Sequence, residues 1–204
     1  GYTKKQWKKL SKKRFLFPGI VELKTGAYAV YDDTGDYKGL PDCTGSCSDV
    51  YGNLYNWFAV DDERGLCMEG WHVPSNDEWK TMTDFLGGKK KAAGKMKEVG
   101  TEHWKSPNKQ TTNESGFTAL PGGFRGYRGT YGALSRFGGF WTSSGYDDGF
   151  SLGWMWSYLF SYEHDAGTAW NRGLSYMVSM FSYTPLIRTY PDKRVGYSIR
   201  CVAD

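Results

Sequence analysis

The clearest pattern of apolar and polar positions lies at residues 71–88. Ser75 and Glu78, just after Pro74, form the Ser-x-x-Glu arrangement that caps a helix N-terminus. Trp79, Met82, Phe85 and Leu86 then recur at helical spacing and predict one buried face. Gly87 and Gly88 supply a left-handed stop. Residues 89–98 fit a second short, exposed helix, with Lys89, Lys90, Lys91, Lys95 and Lys97 as its solvated face. Beyond Thr101 the helical period is lost.

Strand patterns fill much of the rest. Residues 19–23 and 27–31 read as short strands joined at residues 24–26, and residues 32–49 as a loop rich in Asp, Gly and Ser. Residues 51–60 are aromatic and apolar enough to be buried. Residues 117–126 predict a strand running into tight glycine turns, and residues 139–144 a further short strand. Residues 196–202 predict a terminal strand with Tyr197, Ile199 and Cys201 on one face and Ser198, Arg200 and Val202 on the other. In residues 150–162, Phe150, Leu152, Trp154, Trp156, Tyr158, Phe160 and Tyr162 share one parity, so an extended chain would carry one almost wholly aromatic face.

Composition narrows the classes. The 204 residues fit one domain with an appendage. Nine Trp, 15 Tyr and 11 Phe are too many for a disordered chain, and with 27 Gly they favour turn-rich structure with some strand over a helical bundle. A mean hydropathy of -0.60 and the lack of an apolar run near 18 residues leave no candidate transmembrane helix. The net charge is +4, yet Lys4, Lys5, Lys8, Lys9, Lys12, Lys13 and Arg14 alone contribute +7, so the remainder is mildly acidic. That basic arm is read as a solvated linker or first helix docked through Trp7 and Leu10. No base-reading motif accompanies it, so no nucleic-acid partner is expected.

Cys43, Cys47, Cys67 and Cys201 allow three pairings and are candidates for disulfides or for four reduced thiols. They lack the spacing of a zinc site, and no metal or other cofactor is expected. Among the three histidines, His72 sits between Trp71 and Val73 as a hydrogen-bonded scaffold residue, and His164 lies at a polar tip beside Glu163 and Asp165. No nucleophile elbow or P-loop occurs, which argues for binding and against catalysis.

Five motifs follow one another in order: residues 51–60 (Tyr51, Gly52, Asn53, Leu54, Tyr55, Asn56, Trp57, Phe58, Ala59, Val60); Gly70, Trp71, His72, Val73, Pro74, Ser75, Glu78 and Trp79; Gly116, Phe117, Ala119, Leu120, Pro121, Gly122, Gly123 and Arg125; residues 140–144; and residues 196–202. In this order and spacing the chain resembles the FISUMP, or major paralogous domain, family over about residues 50–203. The resemblance implies an α+β chain with a C-type lectin-like fold of the subclass shared with formylglycine-generating enzymes. Such a fold has short twisted antiparallel strands, one or two helices and much irregular loop. It divides the chain into an extension, residues 1–49, and a domain, residues 50–204. It also implies a bacterial surface or a phage particle, an extracellular or cell-surface setting, and kinship with variable proteins of diversity-generating retroelements.

The chain departs from the family pattern around residues 149–166, an aromatic stretch inserted before Ala169, Trp170, Asn171 and Arg172. The tryptophans of that stretch suit a core as well as a surface, whereas its tyrosines favour a wet or paired setting. Residues 175–183 mix Tyr with Ser, a composition that joins rigid anchors to adaptable hydrogen bonding. The expected contact residues for a protein or glycan ligand are therefore Tyr158, Tyr162, Asn171, Arg172, Ser175, Tyr176, Tyr183, Arg188 and Tyr190. The alternatives are a cysteine oxidase of the formylglycine-generating type, which would need a reactive thiol near Cys201, and a purely structural surface protein.

Overall fold

The computed structural model describes residues 25–31, 47–146, 167–176, 186–189 and 191–204. The chain there is mixed α and β, with few helices and short antiparallel strands. The strands are β1 (Tyr28–Ala29), β2 (Leu54–Tyr55), β3 (Trp71–His72), β4 (Phe124–Arg125), β5 (Tyr131–Gly132), β6 (Phe137–Tyr146), β7 (Thr168–Ser175), β8 (Leu186–Thr189) and β9 (Val202–Ala203). The helices are α1 (Cys47–Tyr51), α2 (Trp57–Val60), α3 (Asn76–Phe85) and α4 (Lys89–Met96).

The largest sheet has the order β6-β7-β8, and β1-β2, β3-β9 and β4-β5 are two-stranded pairs around it. Strand alternation puts Phe140 and Trp141 of β6 on opposite faces. Phe140 joins a cluster with Trp79, Leu86, Ala92, Met96, Trp104 and Leu174, while Trp141 joins Trp57, Ala169, Val195 and Tyr197. A third cluster gathers Ala27, Ala29, Tyr31, Cys47, Leu54, Tyr131 and Leu134. Residues 27–31, read from sequence as part of an extension, thus pack with residues of the domain.

Asn56 ties that segment down. It is fully buried; its Oδ1 accepts from the amides of Ala27 and Ala59, and its Nδ2 donates to the Thr25 carbonyl. The Ala59 bond makes Asn56 the N-cap of α2. Two indoles lock α2 and the preceding β2 to the large sheet in a reciprocal way. Trp57 Nε1 donates to the Thr142 carbonyl at 3.0 Å, and Trp141 Nε1 donates to the Tyr55 carbonyl at 2.8 Å.

The capping box of α3 forms as predicted, with Ser75 Oγ accepting from the Glu78 amide and the Glu78 carboxylate accepting from the Ser75 amide. Its buried face is narrower than expected. Trp79, Thr83 and Leu86 are buried, Met82 is half-buried, and Phe85 is 87% exposed. Phe85 lies six positions after Trp79, nearly two turns at 3.6 residues per turn but well off the stripe that positions 79, 83 and 86 share.

Other expectations need correction. The helix over Lys89–Met96 exists, but Ala92, Ala93, Gly94 and Met96 are buried, and Lys97, assigned to a solvated face, is 2% exposed. Burial follows from close backbone contact: a Cβ on Gly94 would lie 2.0 Å from the Gln110 carbonyl oxygen, so only glycine lets residues 110–113 cross the helix there. Residues 47–49, placed in a loop, belong to the helix α1. The strand expected over residues 117–126 shrinks to β4. Residues 196–198 are no continuous strand, because Gly196, Tyr197 and Ser198 bridge in turn to Arg125, Tyr55 and Phe140, three different elements. The expected strand at residues 19–23, the basic arm and the aromatic alternation of residues 150–162 lie outside the described residues.

Candidate functional site

The site begins with the register of the large sheet. β6 and β7 are antiparallel, with Tyr146 opposite Thr168 at one end and Phe137 opposite Ser175 at the other. β7 and β8 are antiparallel, with Leu174 opposite Leu186. The sheet therefore holds Tyr146 beside Thr168 at the start of β7, and Leu174 beside Leu186 at its end. The two sets of anchor points are roughly 20 Å apart at about 3.3 Å per residue.

The middle of β6 is shaped by an irregularity between Trp141 and Gly145. The extra residues turn polar groups sideways toward the start of α3. The Ser143 amide donates to the Pro74 carbonyl at 3.0 Å, and Ser144 Oγ accepts from the Asn76 amide at 2.9 Å. A bulge costs ladder bonds but re-aims the groups it frees. Here they dock a helix N-terminus against the sheet.

Two expected contact residues belong to this framework. Asn171 is fully buried, and its Nδ2 donates to the Phe140 carbonyl at 3.1 Å. Arg172 is 4% exposed; its Nη2 donates to the Asn76 carbonyl at 2.9 Å and to Asn76 Oδ1 at 2.7 Å. Burial removes both side chains from the reach of a ligand arriving from solvent, and their bonds clamp β7 to β6 and to α3.

Ser175 and Tyr176 stand at the exit of β7 and are partly exposed. The Ser175 carbonyl accepts from Lys97 Nζ at 3.0 Å, and the Tyr176 amide donates to the Arg136 carbonyl at 3.1 Å. Tyr176 also packs on the cluster around Trp79. Arg188 sits on β8 with its backbone opposite Arg172. Tyr158, Tyr162, Tyr183 and Tyr190 lie outside the described residues. The sheet thus brings Asn171, Arg172, Ser175, Tyr176 and the Arg188 backbone together.

Lys97 was missed as a neighbour of this site. Its ammonium lies 5.1 Å from the centre of the Trp104 ring. Burial lowers its pKa to about 8, because a desolvated ammonium loses more than a desolvated amine. Nothing in a lysine-rich stretch distinguishes the buried Lys97 from the exposed Lys89, Lys90 and Lys91 or the half-buried Lys95.

The histidines differ from one another. His72 bridges two carboxylates, with Nδ1 2.6 Å from Asp204 Oδ1 and Nε2 2.8 Å from Glu78 Oε1. It is the hydrogen-bonded scaffold residue expected, and both partners raise its pKa, Asp204 more than Glu78. His103 pairs with Glu98 through one ring nitrogen. Glu98, Glu102 and His103 are the group, among the described residues, whose metal-ligating atoms converge.

Cys67 and Cys201 form a disulfide across 134 residues, beside the β3-β9 pair. Cys47 is disulfide-bonded as well, and Cys43 lies outside the described residues. No described helix is long and apolar enough to cross a membrane.

No curated protein matches the chain, and no solved structure matches it. A family model does: the Fibrobacter succinogenes major domain, or FISUMP, over residues 20–203, a match that starts ahead of the five motifs and takes in β1. The ordered motifs, their roles in capping α3, bulging β6 and closing β3 on β9, and this nearly full-length match lead to one conclusion: the chain belongs to the Fibrobacter succinogenes major domain family.

Proposed function

We propose that this protein is a non-catalytic binding module with a C-type lectin-like fold, displayed on a bacterial surface or a phage particle, that grips a protein or glycan ligand through Tyr- and Ser-rich segments. The observation that carries the reading is the double anchoring on β7. The Tyr146–Thr168 and Leu174–Leu186 pairings hold the ends of two aromatic-rich segments on a sheet whose core residues are buried. A fixed frame that carries Tyr- and Ser-rich connections is the architecture of a paratope, in which sequence can change in the connections without cost to the frame. Contact falls to Tyr158 and Tyr162 from one connection and to Ser175, Tyr176 and Tyr183 from the other, with Arg188 and Tyr190 following on. Asn171 and Arg172 act by holding the frame.

The disulfide between Cys67 and Cys201 supports binding over cysteine oxidation, because it takes up the thiol that a formylglycine-type chemistry would need at that end of the chain.

The test is a screen of the full chain against glycan and host-protein arrays, followed by two double variants on the best ligand, Tyr158→Ala with Tyr162→Ala and Tyr176→Ala with Tyr183→Ala. At least one pair is expected to weaken binding by about tenfold or more while thermal stability is kept, since truncated Tyr anchors commonly cost more than about 1 kcal/mol. Unchanged affinity with lowered stability in both pairs would leave a structural protein with buried aromatics. The finer reading, retroelement diversification, predicts population-level substitutions confined to adenine positions in codons 147–167 and 175–192, with codons 196–202 invariant. An unvarying 3′ half sinks it.

A further inference from the structure

We infer that Glu98, Glu102 and His103 form a binding site for a first-row divalent cation, with Zn2+ as its probe. One ligand atom from each residue lies within 4.8 Å of the other two. His103 Nδ1 stands 2.8 Å from Glu98 Oε1 and 3.0 Å from Glu98 Oε2. A tetrahedral ion with bonds of about 2.1 Å holds adjacent ligands about 3.4 Å apart, so an opening of about half an ångström converts this hydrogen-bonded pair into a coordination edge. A cation would take the place of the shared proton, with the imidazole proton carried on Nε2.

Charge favours occupancy. Two carboxylates face one imidazole, and even a protonated ring leaves the group net negative, whereas a divalent cation balances it. Imidazole with two carboxylates is a donor set that suits zinc and its neighbours and leaves positions open for water.

The segment is preorganised. The Glu98 amide and Trp104 Nε1 both donate to the Ala119 carbonyl, at 3.3 Å and 2.9 Å, which pins the turn at its two ends. Gly100, at φ +87°, makes the reversal between them. Asn108 Nδ2 donates to the carbonyls of Glu98 and Gly100 at 3.1 Å and 2.6 Å. This leaves Asn108 Oδ1 buried with no hydrogen-bond donor among the described residues. The Tyr51 ring meets the His103 ring edge-on at 5.7 Å and fixes its plane.

His72 provides the contrast. It too contacts two carboxylates, but Asp204 and Glu78 approach opposite ring nitrogens and cannot share one ion with it.

The test is calorimetric titration of the full chain with Zn2+ at neutral pH. One saturable site is expected, weakened at least tenfold by Glu102→Gln and by His103→Asn, and unchanged by His72→Asn. Glu102 is exposed, so its variant keeps the fold, which a thermal melt verifies. Zinc should also displace the His103 ring nitrogen resonances. Absence of saturable binding up to millimolar Zn2+ overturns the site. So does binding that survives undiminished when Glu102 and His103 are both replaced, since that ion sits elsewhere.

Discussion

Lys97 carries a conflict between charge and burial. Its ammonium has a ring face and one carbonyl for company instead of a carboxylate, and the side chain is all but sealed. The pKa of about 8, against 10.5 for the free group, means that between these values the unfolded chain binds a proton that the folded chain has released. Stability therefore rises with pH across that window. We expect the stability of the wild type relative to a Lys97→Met variant to climb between pH 8 and 10.5, measured by urea denaturation at several pH values. A flat difference would mean that the lysine stays hydrated in solution. Sequence could not reveal this, because Lys97 stands among four other lysines of the same stretch and is drawn inward by a bridge to Ala119, 22 positions away. Phe85 is the reverse case, an apolar residue at an apparently helical spacing that the true stripe of 79, 83 and 86 leaves in solvent.

The α3 terminus was legible because its determinants are local. Ser75 and Glu78 cap it within one turn, as any Ser-x-x-Glu before an apolar run should. What sequence could not show is that Glu78 also serves His72, and through it Asp204 at the end of the chain. Glu78 is held at a pKa of about 2, against 4.5 for the free group, first by the Ser75 amide, then by the Ser75 hydroxyl and His72. Its stabilising contribution is complete above pH 4.5 and is lost as pH falls through about 2. His72 has a raised pKa, so its contribution is complete below its free value of 6.5 and is lost as pH rises through the folded value. The His72–Glu78–Asp204 chain should thus stabilise most between about pH 4.5 and 6.5. In a pH series of thermal melts, the gap between wild type and Glu78→Gln should close toward pH 2 while the capping geometry, which Gln can also form, persists. A gap that stays open at pH 2 would locate the effect in packing and not in charge. The β6 irregularity at residues 142–144 was also beyond sequence reading, since a run of Thr and Ser extends as well as it bulges.

The closure of the molecule rests on few residues. β3 and β9 contribute two residues each, and the disulfide between Cys67 and Cys201 stands beside them, enclosing a loop of 134 residues. Chain-entropy arguments assign a cross-link over such a loop roughly 4–5 kcal/mol, most of it from restricting the unfolded chain. Replacing both cysteines with alanine should lower the unfolding free energy by about that amount in urea titrations. A loss below about 1 kcal/mol would show that β3, β9 and the His72 bridge close the fold unaided. The same large-scale view separates the expected contact residues. Parity and composition put Tyr158 and Tyr162 in one list with Ser175 and Tyr176, yet their segments are anchored at opposite ends of β7.

Sequence by itself determined the family, through five motifs in fixed order, and it determined the elements whose causes lie within a turn or two: the capped α3, the left-handed stop at Gly87 and Gly88, and the burial of Leu54, Trp57 and Ala59. Tertiary structure decided the rest. It paired Cys67 with Cys201 out of three possible pairings, split residues 196–198 among three partners, drew Lys97 inside, and turned Asn171 and Arg172 from contact candidates into braces. The physical reason is common to all four. Capping and amphipathic spacing are energies between neighbours in sequence, whereas burial, register and disulfide choice depend on which distant backbone arrives alongside.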